Sequence, residues 1–390
     1  MGMNETPSGE RVHIAFFGRR NVGKSSLLNA VTNQNIAVVS DVKGTTTDPV
    51  YKSMELLPIG PVMVIDTAGI DDIGELGQLR IEKTKQVLNK TDIAVIVAEK
   101  EITDFEKEII NSVKEKNIPF IIVYTKSDIY GEKQCFENEI CVSAKTKEGI
   151  NELKEMIGKL KPSENNRKLV SDILNKGDIV ILVVPIDKAA PKGRLILPQQ
   201  QVIRDCIECG AVSVVCKETE LEQMLDVLGE NVKMVITDSQ IFGLVDKITP
   251  KNILMTSFSV IFARYKGNIY QAVESARVLN NINDNSNILI SEGCTHHRQC
   301  GDIGTEKLPN LIRKFTNSNP NFEFTSGTEF PDDISKYDIV IHCGGCMLNE
   351  KEMSNRLYKA KEKNVPMTNY GTAIAYMNGI LERSLKPFGI

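Results

Sequence analysis

The segment GRRNVGKSS, residues 18–26, constrains this chain more than any other feature. It follows the apolar run RVHIAFF at 11–17 and opens an amphipathic stretch near 24–33. In that strand–loop–helix setting it fits G-x-x-x-x-G-K-[ST], the pattern of a phosphate cradle. Gly18 and Gly23 let the backbone wrap close to phosphate oxygens, and Asn21, Val22 and Ser26 complete the loop. Loop N–H groups and the helix N-terminus offer positive potential to anions. Lys24 is placed to reach outer phosphates, and the Ser25 hydroxyl to ligate magnesium. A glycine-rich turn with an incidental lysine is the bland reading, and four further motifs remove it.

DTAG at 66–69 ends the apolar run 62–66, where Asp66 can hold the magnesium shell and Gly69 can meet a γ-phosphate. GTTTD at 44–48 supplies Thr45 and Thr46. A threonine there serves metal and γ-phosphate from a loop that triphosphate orders. Thr46 is taken as the magnesium ligand, although residues 45–47 are not separable by sequence. TKSD at 125–128 (Thr125, Lys126, Asp128) brings a carboxylate that accepts two hydrogen bonds from a guanine edge, a pattern adenine cannot donate. SAK at 143–145 (Ser143, Ala144, Lys145) supplies a backbone donor for the guanine carbonyl. The expected ligands are GTP or GDP with Mg2+, and the expected catalytic set is Lys24, Thr46, Asp66 and Gly69.

Short apolar runs alternate with amphipathic segments along the whole chain, which implies mostly parallel sheets covered on both faces. Strands are predicted at 11–17, 62–66, 93–98, 119–124, 179–184, 211–216, 233–237, 253–257, 288–291, 338–342 and 365–369. The apolar stretch ILMTSFSVIF at 253–262 reads as strand and core. At 390 residues the chain exceeds one compact core, so several domains are expected. The polar stretch KPSENNRK at 161–168 marks a linker. The expected division is a flexible 1–9, a P-loop domain at 10–162, a linker at 163–176, and two smaller α/β domains at 177–266 and 267–390. A net charge of −4 counts against nucleic acid as a partner. No run reaches membrane-spanning length and MGMNETPSGE lacks an apolar signal core, so a cytoplasmic protein is expected.

Cysteine and histidine gather late in the chain, in CTHH at 294–297 and HCGGC at 342–346. Each group follows a predicted strand, at the edge where open parallel sheets form ligand crevices. If the two strands are neighbours, Cys294, Cys343 and Cys346 converge. Three thiolates suit a 4Fe–4S cluster with one open corner. Zinc closed by His296, His342 or Cys300 stays open as a reading, as do incidental buried cysteines. Asp302 and Glu306 read as surface carboxylates or as weak ligands of the open corner. Cys206-Ile-Glu-Cys209 falls inside a predicted helix and reads as packing. Cys135, Cys141 and Cys216 have no local partner in the sequence.

Residues 10–160 resemble the Era/TrmE-like GTPases. Thr125 stands where most of those carry asparagine, and Ile70 follows DTAG where Ras-like proteins place a water-orienting glutamine. Slow intrinsic hydrolysis is therefore expected. The resemblance also implies that Asn21 helps hold K+ against the phosphates, hence potassium-stimulated hydrolysis. C-x-H followed by H-C-x-x-C, joined to these motifs, is similar over the whole chain to the HydF family of GTPases that mature FeFe-hydrogenases. That resemblance implies a 4Fe–4S cluster on Cys294, Cys343 and Cys346, in the domain at 267–390. It further implies a di-iron precursor received from radical-SAM maturation enzymes and delivered to apo FeFe-hydrogenase, and a homodimer formed through 177–266. The competing reading is a ribosome-assembly or tRNA-modification GTPase with a zinc site, which the acidic balance disfavours.

Overall fold

The computed structural model describes residues 6–33, 49–67, 83–131, 133–162, 167–186, 195–294 and 302–390. The chain divides into two compact units, Met1–Asn165 and Asn166–Ile390.

The first unit holds a six-stranded sheet of order β2-β3-β1-β4-β5-β6. Its strands are β1 (Val12–Gly18), β2 (Val50–Leu56), β3 (Gly60–Asp66), β4 (Ile93–Ala98), β5 (Phe120–Tyr124) and β6 (Glu139–Cys141). Only β2 runs antiparallel to its neighbour. The continuous apolar run IAVIVA makes β4 buried on both faces, as a central parallel strand requires. Period-two alternation then sorts the helices. Ile14, Phe16, Val95 and Val97 meet Leu27 and Leu28 of α1 (Lys24–Thr32) and Leu153 and Ile157 of α3 (Ile150–Lys159). Ala15, Phe17 and Ile96 point the other way, onto Ile109 and Val113 of α2 (Asp104–Glu115). The edge strand β2 escapes the sequence reading because VYKSMEL is mostly exposed and interleaves polar residues.

The second unit contains two parallel four-stranded sheets. The middle sheet, β10-β9-β7-β8, is built from β7 (Ile179–Val183), β8 (Val212–Cys216), β9 (Val232–Thr237) and β10 (Leu254–Ser257). Around it lie α4 (Leu197–Glu208), α5 (Leu221–Leu228), α6 (Phe242–Ile248) and α7 (Phe258–Lys266). The last sheet, β12-β11-β13-β14, is built from β11 (Asn287–Ser291), β12 (Asn321–Thr325), β13 (Ile339–His342) and β14 (Met367–Asn369). It carries α8 (Ile269–Ala276), α9 (Leu308–Thr316), α10 (Glu350–Glu362) and α11 (Tyr370–Met377), whereas α12 (Leu381–Leu385) packs on the middle sheet.

The structure adds to the sequence reading at three places. ILMTSFSVIF is strand only to Ser257; the Ser257 hydroxyl then accepts the Val260 N–H at 3.3 Å and starts α7, whose Val260, Ile261 and Phe262 are buried. A serine cap ends the strand where hydrophobicity alone runs on. Cys135 and Cys141 do have a local partner, each other, with sulfurs 3.3 Å apart. The C-terminal helices, unread in the sequence, carry Ala375, Ile380, Leu381 and Leu385 into the core of the middle sheet, beside Ile181, Val235 and Met255. Arg383 fastens them there, donating to the Asp246 carboxylate at 2.5 Å and to the carbonyls of Thr249 and Pro250 at 3.0 and 2.6 Å. Cys206 is buried in the α4 core, and burial pushes its thiol up to about 11, in keeping with packing.

Candidate functional site

Two sites lie at the carboxyl ends of parallel strands, one in each unit. In the first unit the turn from β1 into α1 takes left-handed backbone at Asn21 (φ 59°) and Gly23 (φ 89°), a conformation that costs glycine least. A Cβ at Gly18 would come within 2.6 Å of the Val97 carbonyl, so β4 can lie against the loop only if residue 18 is glycine. Lys24 is buried, with Nζ 3.6 Å from Asp66 Oδ1. The Ser25 hydroxyl donates to Asp66 Oδ2 at 3.4 Å. Burial raises the Asp66 carboxyl above its ordinary range, and the Lys24 charge opposes that. Asp66 Oδ1 is buried and has no hydrogen-bond partner among the described residues. A carboxylate oxygen left unsatisfied beside a serine hydroxyl and a lysine fits the edge of a magnesium–phosphate site.

The base-reading side is equally built. Thr125 is buried, and its hydroxyl donates to the Val22 carbonyl, bolting TKSD to the phosphate loop. Thr125, which stands where most Era/TrmE-like GTPases carry asparagine, thus bridges two of the motif segments. Lys126, in left-handed backbone, donates from Nζ to the Asn21 carbonyl at 3.1 Å and pairs with Glu99. Hydrogen bonding from Lys126 holds the Glu99 carboxyl below its usual range. Asp128 is exposed, and its Oδ1 accepts the hydroxyl of buried Ser143 at 2.7 Å. That bond fixes one oxygen of the carboxylate. The structure thus joins the 18–26, 125–128 and 143–145 segments. Thr45, Thr46, Gly69 and Ile70 lie outside the described residues.

In the second unit, β11 and β13 are adjacent and in register from Ile288↔Ile339 to Ser291↔His342. The loops carrying Cys294 and Cys343–Cys346 therefore leave the sheet side by side, and the Cys343 N–H donates to the Ser291 carbonyl at 2.9 Å. Cys343 Sγ accepts the Gly293 N–H at 3.0 Å and the Gly345 N–H at 3.4 Å. Gly345 takes φ 64° to make that turn. Amide donors aimed at a sulfur are what a metal-bound thiolate uses to spread its charge, so Cys343 fits a ligand role. Burial raises the Cys343 thiol, and those two amides oppose it. Burial and then the neighbouring Cys343 push Cys346 up to about 12, with Lys266 opposing. Among the described residues no three Cys, His, Asp or Glu side chains are gathered closely enough to hold a metal ion. His296, His297 and Cys300 lie outside the described residues.

His342 is not available as a ligand in this arrangement. It is buried, its Nδ1 lies 2.7 Å from the Cys343 carbonyl, and its Nε2 lies 2.8 Å from Arg356. Burial, then the Arg356 charge, lowers its pKa to about 3, so the ring is neutral. Nε2 accepts from Arg356, which assigns the proton to Nδ1. Asp302 caps the turn at Ile303–Lys307, its Oδ2 accepting from the Gly304 and Thr305 N–H groups at 3.1 and 2.9 Å.

Several residues absent from the motifs shape this edge. Arg356 on α10 is 3% exposed and also bonds Glu352 (2.8 Å), the Gly327 carbonyl (2.7 Å) and Ser291 (3.3 Å). Lys266 at the end of α7 is buried and donates to the carbonyls of Cys346 (3.3 Å) and Leu348 (2.7 Å). Glu292 is buried against the Tyr370 hydroxyl at 3.3 Å. The available signal was a Glu352/Arg356 pair four residues apart on the α10 face that also carries buried Met353 and Ala360. A charged pair on a core face is a network, not a solvated surface.

Three family models match the chain: 50S ribosome-binding GTPase at residues 13–126, hydrogen maturase F dimerization domain at 169–267, and hydrogen maturase F tetramerization domain at 270–387. GTPase Der of Wolinella succinogenes is 38% identical over 194 residues, 45% of this chain and 40% of that protein. The tRNA modification GTPase MnmE of Aquifex aeolicus is 37% identical over 155 residues, 38% of this chain and 34% of that protein. The chain thus spans less than half the length of these curated relatives. A solved structure of Aquifex aeolicus Era bound to GDP·AlF4− aligns at 18% identity and TM-score 0.36, covering 56% of this chain and 98% of that one. No helix among the described residues is long and apolar enough to cross a membrane.

Proposed function

This chain belongs to the hydrogen maturase F (HydF) family, whose two domain models together match more than half of it, and from that premise we propose that it is a GTP-hydrolysing scaffold. It holds a 4Fe–4S cluster on Cys294, Cys343 and Cys346 and passes a di-iron precursor, made by radical-SAM enzymes, to apo FeFe-hydrogenase. The cluster, when bound, supplies an open iron corner where the precursor docks. Cys343 and Cys346 then act as thiolate donors, the Gly293 and Gly345 amides delocalise charge at Cys343, and Lys266 and Arg356 fix the loops on either side. Residues 177–266 form the dimerisation domain of a homodimer, and 267–390 the cluster domain.

On the nucleotide side, the N–H groups of 18–26 and Lys24 bind the phosphates, Ser25 and Thr46 ligate Mg2+, Asp66 holds its shell, and Gly69 meets the γ-phosphate. Thr125, Lys126, Asp128 and Ser143–Lys145 read guanine. Hydrolysis is slow because Ile70 cannot polarise water, and K+ held by Asn21 raises it; replacing potassium by sodium without loss of rate would reject that part. GTP acts as a switch, since γ-phosphate contacts order loops that GDP releases.

The observation that supports the cluster reading is the adjacency of β11 and β13, from whose ends the chain leads to Cys294 and to HCGGC. The test is anaerobic reconstitution with iron and sulfide, then EPR after reduction, against a Cys343→Ala/Cys346→Ala variant. A reducible 4Fe–4S signal lost in the variant supports the scaffold. Tightly held zinc without a cluster overturns it.

A further inference from the structure

Cys135 and Cys141 lie outside both sites and have no place in the proposed function. Their sulfurs are 3.3 Å apart, six residues along the chain, and both side chains are half-buried. A disulfide needs an S–S distance of about 2 Å, so a side-chain adjustment of roughly 1.3 Å closes it. The segment carrying Cys135 is already pinned to the sheet. Lys133 Nζ stands 4.1 Å over the Tyr124 ring, and Cys141 Sγ lies 3.8 Å from the Lys133 carbonyl.

The pair sits against the base-reading loops. Cys141 is the β6 partner of Tyr124, the residue before TKSD. The next residue, Val142, donates its N–H to the Tyr124 carbonyl at 2.8 Å and accepts the Ser127 N–H at 3.2 Å. Ser143 follows and orients Asp128. A bond between residues 135 and 141 therefore ties the loop after TKSD to the strand that delivers SAK.

We propose that Cys135 and Cys141 form a reversible dithiol modification site, taking low-molecular-weight disulfides as oxidant, whose closed form clamps the guanine-recognition loops. The Cys141 sulfur attacks one sulfur of the small disulfide, breaking its S–S bond and releasing one thiol. The Cys135 sulfur attacks the mixed disulfide and releases the second. Two protein S–H bonds give one S–S bond, and two electrons and two protons leave on two small thiols. Burial, with the adjoining Cys141, pushes the Cys135 thiol up to about 11, so its thiolate is scarce and the second attack relies on the 3.3 Å approach of the two sulfurs. The proposal rests on the reading of 125–128 and 143–145 as the guanine site.

The test uses the full chain under anaerobic conditions, treated with glutathione disulfide or with dithiothreitol. Peptide mapping without reductant reads the linkage, and release of fluorescent methylanthraniloyl-GDP reads the clamp. We expect a 135–141 cross-link and GDP release slowed about fivefold, since a pre-ordered loop holds its ligand longer. Dithiothreitol reverses both, and Cys135→Ser and Cys141→Ser variants ignore the oxidant. Absence of the cross-link, unchanged release in the cross-linked protein, or an equal response in Cys135→Ser overturns the proposal. Failure of the reduced protein to bind the nucleotide overturns the guanine reading instead, because mapping reports the cross-link regardless.

Discussion

The nucleotide edge and the cysteine edge occupy the same topological position, the carboxyl ends of parallel strands, yet they are held in different ways. At the nucleotide edge the motif residues hold one another: Thr125 bolts TKSD to Val22, Lys126 reaches the Asn21 carbonyl, and Ser143 aims Asp128. At the cysteine edge the motif has two contacts of its own, Gly345 N–H to Cys343 Sγ and His342 Nδ1 to the Cys343 carbonyl, and otherwise leans on residues outside it. His342 is fixed by Arg356, the loop carbonyls of Cys346 and Leu348 by Lys266, and the Cys343 sulfur by a backbone amide two residues past β11. A motif that carries its own scaffold is readable from the chain; one that borrows it is readable only as a list of ligands.

The sharpest way to break this contrast is Arg356→Met. It leaves buried Glu352 facing no cation and His342 without its donor, and removing one partner of a buried ion pair costs about 3–5 kcal/mol. In chemical denaturation the transition of the second unit should fall by that amount while guanine-nucleotide binding persists. If the cysteine edge survives intact, its support lies elsewhere. Lys24→Ala tests the other edge: GTP turnover should drop about 10²–10³-fold, the scale of losing one preorganised charge donor to developing phosphate charge, with the reduced EPR signal unchanged. Thr125→Val separates a bolt from a base contact. It strands the Val22 carbonyl, and GDP affinity should fall about tenfold, or 1.4 kcal/mol, by equilibrium fluorescence. Smallest is Cys206→Ala, a core truncation costing about 1 kcal/mol by thermal unfolding, with no change in iron content after reconstitution.

The same physical difference explains what the sequence made legible. Strands with continuous apolar runs, such as IAVIVA and IVILV, were placed within a residue or two because burial on both faces demands that composition. The edge strands VYKSMEL and NFEFT were missed, since each keeps much of its length exposed and its polar residues dilute the pattern. The 18–26, 125–128 and 143–145 segments, which the structure brings together, were legible because glycine conformation and charge dictate residue type locally; 44–48 and 68–69 lie outside the described residues. Lys266 was not, because nothing local says that a cation at a helix end will be buried against a loop 80 residues away; Arg356 left only the hint of Glu352 four residues earlier on a core face. The Cys135–Cys141 approach was hidden for a related reason: it depends on where the contact of Lys133 with Tyr124 holds the segment that leads into Cys135.

The return of the C-terminal helices to the middle sheet sets an order on the making of this protein. Ile181 and Val235 leave the ribosome long before Ile380, Leu381 and Leu385, yet all share one core. Until those last residues emerge, the middle sheet presents unfilled apolar surface, and Asp246 awaits Arg383. The middle sheet, whose strands are made first within its unit, is thus completed late. A nascent chain stalled near residue 300 should therefore expose a sticky half-core.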